Sequence, residues 1–194
     1  MIKKVCIYCA SSNQISQKFF DDTEKLASIL VENKIEVVFG GGALGLMGKL
    51  ADTVILKGGK ITGIMPHFMK EVEWAHKNVS EFHFTETMAE RKEKFLIGID
   101  ALIALPGGSG TLEELFEAIT LKRLGLFTKP IVILNTDGFY NPLIEMLEKC
   151  ISENFMSEKN REIWTIISEP EKIIQAINTS PIWSEDAIHF ATMK

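Results

Sequence analysis

Six short apolar runs, rich in β-branched residues, recur along the chain: VCIYC (5–9), IEVVF (35–39), KITGIM (60–65), EFHF (81–84), ALIAL (101–105) and PIVIL (130–134). A strand with one wet face alternates apolar and polar residues. These runs are nearly continuous in apolarity, the pattern of strands covered on both faces in a parallel sheet. Helical patterns stand between them. Phe19, Thr23, Leu26 and Leu30, with Phe20, Ala27 and Val31 beside them, form one stripe at helical spacing, while Asp22, Glu24 and Lys25 face water. Further helices are predicted near 45–57, 86–98, 111–125, 141–154 and 170–178. Strand and helix alternating in this way imply right-handed βαβ units, hence an α/β fold: a doubly wound, mainly parallel sheet with helices on both faces.

At 194 residues the chain fits a single domain, since a chain of that size buries roughly 70% of its unfolded surface in one core. The pattern places that domain at 1–178. The remaining tail, 179–194, breaks the alternation with Pro181 and is expected to dock on the body or on a partner subunit. Net charge is −5 with lysines and arginines scattered among acids, which excludes nucleic acid and an anionic membrane as main partners. The N-terminal apolar run is too short for a signal segment, and no run of about 18 apolar residues follows. A cytoplasmic protein is expected. Three cysteines give no disulfide framework. Cys6 and Cys9 form a literal CxxC, but in a strand positions three apart point to opposite faces, so both read as small buried hydrophobes. No metal-ligand constellation accompanies them.

Two glycine-rich turns follow predicted strands and open predicted helices, the place where function sits in such folds. In VVFGGGALGLMG, Gly40, Gly42 and Gly45 satisfy GxGxxG. The following strand, however, ends in Met65, Pro66 and His67 without the acid that binds a ribose diol. The Walker A spacing fails as well, with Leu50 where Ser or Thr belongs. Tight turning and close helix packing are the alternative use of these glycines. The second turn, LPGGSGT, offers a concave nest of backbone amides ahead of a helix N-terminus, with Ser109 and Thr111 adding hydroxyls. Phosphate or another oxyanion is its natural occupant. Thr111 can also serve as an N-cap, with Glu114 completing a capping box.

Behind this anion site stand three carboxylates, Glu113, Glu114 and Glu117. At about 100° per residue, Leu112, Leu115, Phe116 and Ile119 form the predicted core face and the acids lie on the other. Thr111 to Glu114 is about 4.5 Å of axial rise, close to the distance from a 5′-phosphate to the sugar carbons of one nucleotide. Breaking a bond between ribose and base builds positive charge on the sugar, which a carboxylate stabilises while it orients or deprotonates water. Solvated acids near a favourable helix dipole are the alternative.

PGGSGTLEE fits PGGxGTxxE, and GGGALGLMG, GIMP and ERK occur with it in the same order. Together, from VCIYCASS to about residue 178, the chain resembles the LONELY GUY family, cytokinin-activating phosphoribohydrolases often labelled lysine decarboxylases. The resemblance implies a Rossmann-like fold, a homodimer or larger assembly, and no cofactor and no metal. It also implies hydrolysis of adenine or N6-substituted adenine nucleoside 5′-monophosphates, cytokinin ribotide or AMP, to free base and ribose 5-phosphate. By motif, Arg91 and Glu114 would be the catalytic pair, Glu114 supporting the ribosyl cation and water while Arg91 orients it. Gly107, Gly108, Ser109, Gly110 and Thr111 would hold the phosphate, with Ser12, Gly41, Gly42, Met88 and Glu117 as further substrate contacts. His76 matches a frequent family histidine and is expected to make a structural hydrogen bond. The chain departs from the pattern at Leu121, where Trp is common, at Arg123, where Gln is, and at Ala89, where His is. A non-catalytic nucleotide sensor or carrier of the same fold is the alternative function. No convincing lysine context for pyridoxal phosphate supports a decarboxylase.

Overall fold

The computed structural model describes residues 1–70 and 75–191. Its strands are β1 (Lys4–Tyr8), β2 (Glu36–Phe39), β3 (Ile61–Pro66), β4 (Glu81–Thr85), β5 (Ala101–Ala104), β6 (Ile131–Leu134) and β7 (Trp164–Ile167). All pair in parallel, in the order β4-β3-β2-β1-β5-β6-β7. The helices are α1 (Gln17–Glu32), α2 (Gly45–Leu56), α3 (Met88–Leu96), α4 (Ser109–Arg123), α5 (Asn141–Ser152), α6 (Ile173–Thr179) and α7 (Ile188–Ala191).

Each strand divides its side chains between two cores, as period-two geometry requires. Val5, Ile7 and Cys9 face a cluster with α1, α2 and α6, whereas Cys6 and Tyr8 face one with α3, α4 and α5. The two cysteines thus lie on opposite faces, and neither is in a disulfide. The six predicted strands stand within a residue of their expected positions, but β7 carried no run of the same kind. It is a sheet edge whose Thr165 is half-buried and whose Ile166 is 37% exposed, so it lacks the continuous apolarity of a strand covered on both faces.

From β1 the chain winds outward through β2, β3 and β4, then returns to β5 and winds the other way. Connections therefore diverge at the carboxyl ends of β1 and β5 and leave a crevice there. On the β2 side the space above the sheet is filled by the chain itself. Gly45 N–H donates to Asn13 Oδ1 at 2.7 Å, and the N–H groups of Leu46 and Met47 reach the Ala10 carbonyl at 2.9 and 3.2 Å. The start of α2, which a dinucleotide pyrophosphate would occupy in a GxGxxG fold, is capped by the β1–α1 loop. Gly45 is required there, because its φ is +61° and an added Cβ would lie 2.5 Å from the Ser11 carbonyl carbon.

The tail folds onto the body. Trp183 is buried and its indole N–H donates to the Lys122 carbonyl at 2.5 Å, near the end of α4. The Lys122 ammonium is buried 5.8 Å from the centroid of that indole, and burial lowers its pKa to about 8. The folded value lies below the unfolded one, so the unfolded chain binds more protons between about pH 8 and 10.5, and stability rises with pH across that window. Below it the charge is buried at full cost. Lys122→Met, similar in volume, is expected to stabilise the protein by about 1–2 kcal/mol at neutral pH and to flatten the rise. Urea unfolding at pH 7 and 9.5 measures both, and a less stable variant at pH 7 would refute the account.

Candidate functional site

A cleft of about 350 Å³ opens at the carboxyl ends of β1 and β5. Tyr8, Cys9 and Ser12 enter it from β1 and the following loop, and residues from Gly108 to Glu114 enter from the second glycine turn.

The turn leads straight into α4, whose N-cap is Gly108 and which no side chain caps. This differs from the capping-box expectation: Thr111 stands three residues inside the first turn, so its hydroxyl is not the cap. The amide-bearing rim at Gly108, Ser109 and Gly110 is exposed, and a Cβ on either glycine would meet open space. Gly107 is different. Its added Cβ would fall 2.2 Å from Thr111 Oγ1, so only glycine lets the turn close over that threonine. An uncapped helix start with exposed glycines is a ready anion site.

The buried face of α4 also differs from the apolar wheel. Thr111, Glu114, Leu115, Ala118, Ile119 and Lys122 are buried, Phe116 is 41% exposed, and Leu112 is only half-buried. The stripe is rotated so that Glu114, one of the three acids expected on the outer face, points inward. What makes this tolerable is Arg91. Thr87 caps α3 by accepting from Glu90 N–H at 3.1 Å, and the Glu90 carboxylate accepts from Glu86 N–H at 2.9 Å, fixing where the helix starts. Arg91, in the first turn, then reaches across the sheet ends. Its Nε donates to the Ile64 carbonyl at 3.1 Å, Nη2 to the Gly40 carbonyl at 3.5 Å, and Nη1 lies 3.3 Å from Glu114 Oε1. The guanidinium also lies 4.9 Å from the Phe95 ring centroid. Both side chains of the pair are nearly buried, 7% and 11% exposed. A Cβ on Gly40 would sit 2.7 Å from Nη2, so this glycine of the first turn makes room for arginine. Burial pushes the Cys6 thiol and the Tyr8 phenol well up, with Glu114 adding to both, so neither is a base at neutral pH.

Of the other expected contacts, Ser12 and Met88 line the cleft, Met88 being 37% exposed. Gly41 and Gly42 are buried beside it without lining it, and Gly41 packs under Phe82. Glu117 also lies outside the lining, its carboxylate 3.2 Å from Lys92 Nζ. His76 is buried, with Nε2 3.1 Å from Asp52 Oδ1 and its N–H donating to the Gly41 carbonyl at 3.0 Å, so it braces the first turn from behind. Sequence reasoning named Gly40 only as part of GxGxxG and did not single out Met47 or Met69, yet all three line the cleft. The methionines carried no signal apart from ordinary apolar positions, yet with Met88 they add to the cleft lining an adaptable apolar surface suited to a flat ring. Among the described residues no lysine lines the cleft, and no group of three His, Cys, Asp or Glu side chains could hold a metal.

The family model described as "Possible lysine decarboxylase" matches residues 47–177. Cytokinin riboside 5′-monophosphate phosphoribohydrolase LOG2 of Arabidopsis thaliana is 40% identical over 168 residues, spanning 87% of this chain and 78% of that protein. The enzyme LOG of Oryza sativa subsp. japonica, with the same descriptive name, is 36% identical over 196 residues, spanning 96% and 80%. Among solved structures, the molybdenum cofactor binding protein of Rippkaea orientalis superposes with a TM-score of 0.69 at 20% identity, over 92% of this chain and 97% of that one. The molybdenum cofactor carrier protein of Chlamydomonas reinhardtii gives 0.68 at 17%, over 92% and 97%. At such identities these two share the Rossmann-like fold and nothing finer. With the sequence matches spanning most of both chains, and PGGSGTLEE folded into an open glycine turn and uncapped helix start beside a buried Arg91–Glu114 pair, the chain belongs to the LONELY GUY family.

Proposed function

We propose that the protein is a phosphoribohydrolase acting on adenine or N6-substituted adenine nucleoside 5′-monophosphates, cytokinin ribotide or AMP. The observation that carries this reading is the buried Arg91–Glu114 pair at 3.3 Å beside an uncapped, exposed helix start in one cleft. The relatives named for this activity on cytokinin ribotides support it.

In this reading the 5′-phosphate takes the amides of residues 107–111, which places the sugar along the first turn of α4 and the base toward the methionines of the cleft lining. The glycosidic bond breaks with its electron pair leaving on the base. Glu114 faces the ribosyl cation and orients water, whose oxygen bonds to C1′; one water proton ends on the base and ribose 5-phosphate departs. Arg91 keeps its proton throughout, because a guanidinium is too weak an acid to donate it, and acts by holding Glu114 in place. None of these steps calls for a metal or an organic cofactor. The described helices include none long and apolar enough to cross a membrane, and three cysteines outside any disulfide fit a reducing, cytoplasmic setting. A homodimer would have an exposed aromatic ring ready in Phe116, which α4 leaves outside the core.

Base release from AMP, GMP, CMP and isopentenyladenosine monophosphate, resolved by liquid chromatography, tests the proposal. Adenine nucleotides are expected to lead. The matching nucleoside, lacking the phosphate, is expected to lose about 100-fold in kcat/KM, the worth of one or two charge-assisted hydrogen bonds. Tight nucleotide binding without base release would make the protein a sensor or carrier instead.

A further inference from the structure

Putting two further acids next to an anion site is unfavourable unless something cancels them. Glu113 lines the cleft two residues beyond Thr111, and Glu117 follows one turn later. At about 5–6 Å between neighbours on a helix, each would raise the negative potential at both the phosphate turn and Glu114. The structure supplies one cation against both. Lys92, the residue after Arg91, donates from Nζ to Glu113 Oε1 at 2.6 Å and lies 3.2 Å from Glu117 Oε2. Its side chain is 18% exposed, whereas the Glu113 and Glu117 side chains are 53% and 36% exposed, so added salt still screens this cluster.

We propose that Lys92 is a positioning residue of the site, masking Glu113 and Glu117 so that the phosphate turn and Glu114 can function beside them, an inference that rests on the reading above. Adjacent residues of α3 thereby serve adjacent stretches of α4: Arg91 takes the inward acid and Lys92 the two outward ones. The hydrogen bond to Glu113 also raises the Lys92 pKa, so the mask keeps its charge at any working pH. The charged and titratable groups around Glu114 include Arg91 from α3, Glu113 and Glu117 on its own helix, and Cys6 and Tyr8 from β1. The last two are neutral at working pH, and among the described residues Lys92 pairs with both outward acids.

The test uses Lys92→Met, Lys92→Arg and the triple variant K92M/E113Q/E117Q, with AMP binding by calorimetry and kcat and KM against pH on the best nucleotide. Lys92→Met is expected to weaken AMP binding and raise KM about tenfold at low ionic strength, an effect that shrinks in about 0.5 M salt. The acid limb of kcat should move to higher pH, because unmasked neighbours make Glu114 harder to ionise, while the plateau above it changes less than KM. Lys92→Arg and the triple variant should restore both. A purely structural lysine would alter stability yet leave the limb in place, and neutralising the acids would not rescue its loss. Wild-type affinity and an unmoved limb in Lys92→Met would overturn the proposal, as would a triple variant no better than Lys92→Met. If the single variant fails to fold, the triple variant decides: restored folding and affinity support masking, and their absence refutes it. Wild-type protein that binds AMP without releasing base would refute the hydrolase reading alone, since the affinity arm still tests Lys92.

Discussion

Glu114→Gln is expected to reduce base release by about 10²–10⁴-fold, the usual contribution of a positioned acid–base group. The substitution keeps the shape of the side chain and a carbonyl oxygen that accepts from Arg91, whose guanidinium also keeps the Ile64 and Gly40 carbonyls, so the fold should lose stability, but less than when the arginine is removed, and nucleotide affinity should change little. In the proposed mechanism it removes the negative charge that faces the ribosyl cation and the basic oxygen that orients water. Both functions matter only as the glycosidic bond breaks, so the loss should appear in kcat, with KM nearly constant. Glu113→Gln provides the contrast: the same chemistry one residue earlier on α4, on a carboxylate 53% exposed and tied to Lys92 rather than to Arg91. It should retain most of the turnover. The panel of nucleotides and a thermal melt measure all of this. Full turnover in a folded Glu114→Gln protein would rule out the assigned role.

What the sequence revealed and what it concealed follows from the range of each interaction. Strands β1, β2, β3, β5 and β6 were legible because burial on both faces leaves a local run of apolar residues, β4, the opposite sheet edge, because Phe82 and Phe84 alternate with exposed Glu81 and His83, and the second glycine turn because its glycines cluster at a strand–helix junction. β7 was not, being a short edge strand with a wet side. The inward turn of Glu114 was hidden for a deeper reason. A helical wheel assigns the core side by apolarity, and here a carboxylate occupies it because of a charge brought from another helix. Arg91 itself stands in the charged stretch ERKEK, which reads as a solvated face. Its carbonyl partners lie 27 and 51 residues away in sequence, at the ends of β3 and β2. Only the family resemblance could single it out. The first glycine turn was legible as a turn but not in its purpose: Gly40 clears space for that guanidinium, and Gly45 lets the β1–α1 loop close over α2.

Arg91→Ala is expected to destabilise the fold by about 3–5 kcal/mol as well as to abolish turnover, which separates it from Glu114→Gln. Removing the guanidinium leaves a nearly buried carboxylate without its cation, and leaves the Ile64 and Gly40 carbonyls without the donors that Nε and Nη2 supply. The cost is that of an uncompensated buried charge, so it should fall where that charge can be neutralised. Stability of Arg91→Ala should therefore approach that of wild type at low pH, where Glu114 accepts a proton, and the gap should widen as pH rises. The double variant R91A/E114Q should recover part of the lost stability at neutral pH while remaining inactive. Arg91→Lys, which keeps the charge but cannot reach three acceptors with a planar fork, should fall between. Urea unfolding across pH with all four proteins gives the coupling energy directly. A coupling near zero would mean that Arg91 and Glu114 are neighbours that do not depend on each other, and the orienting role assigned to the arginine would then have no physical basis.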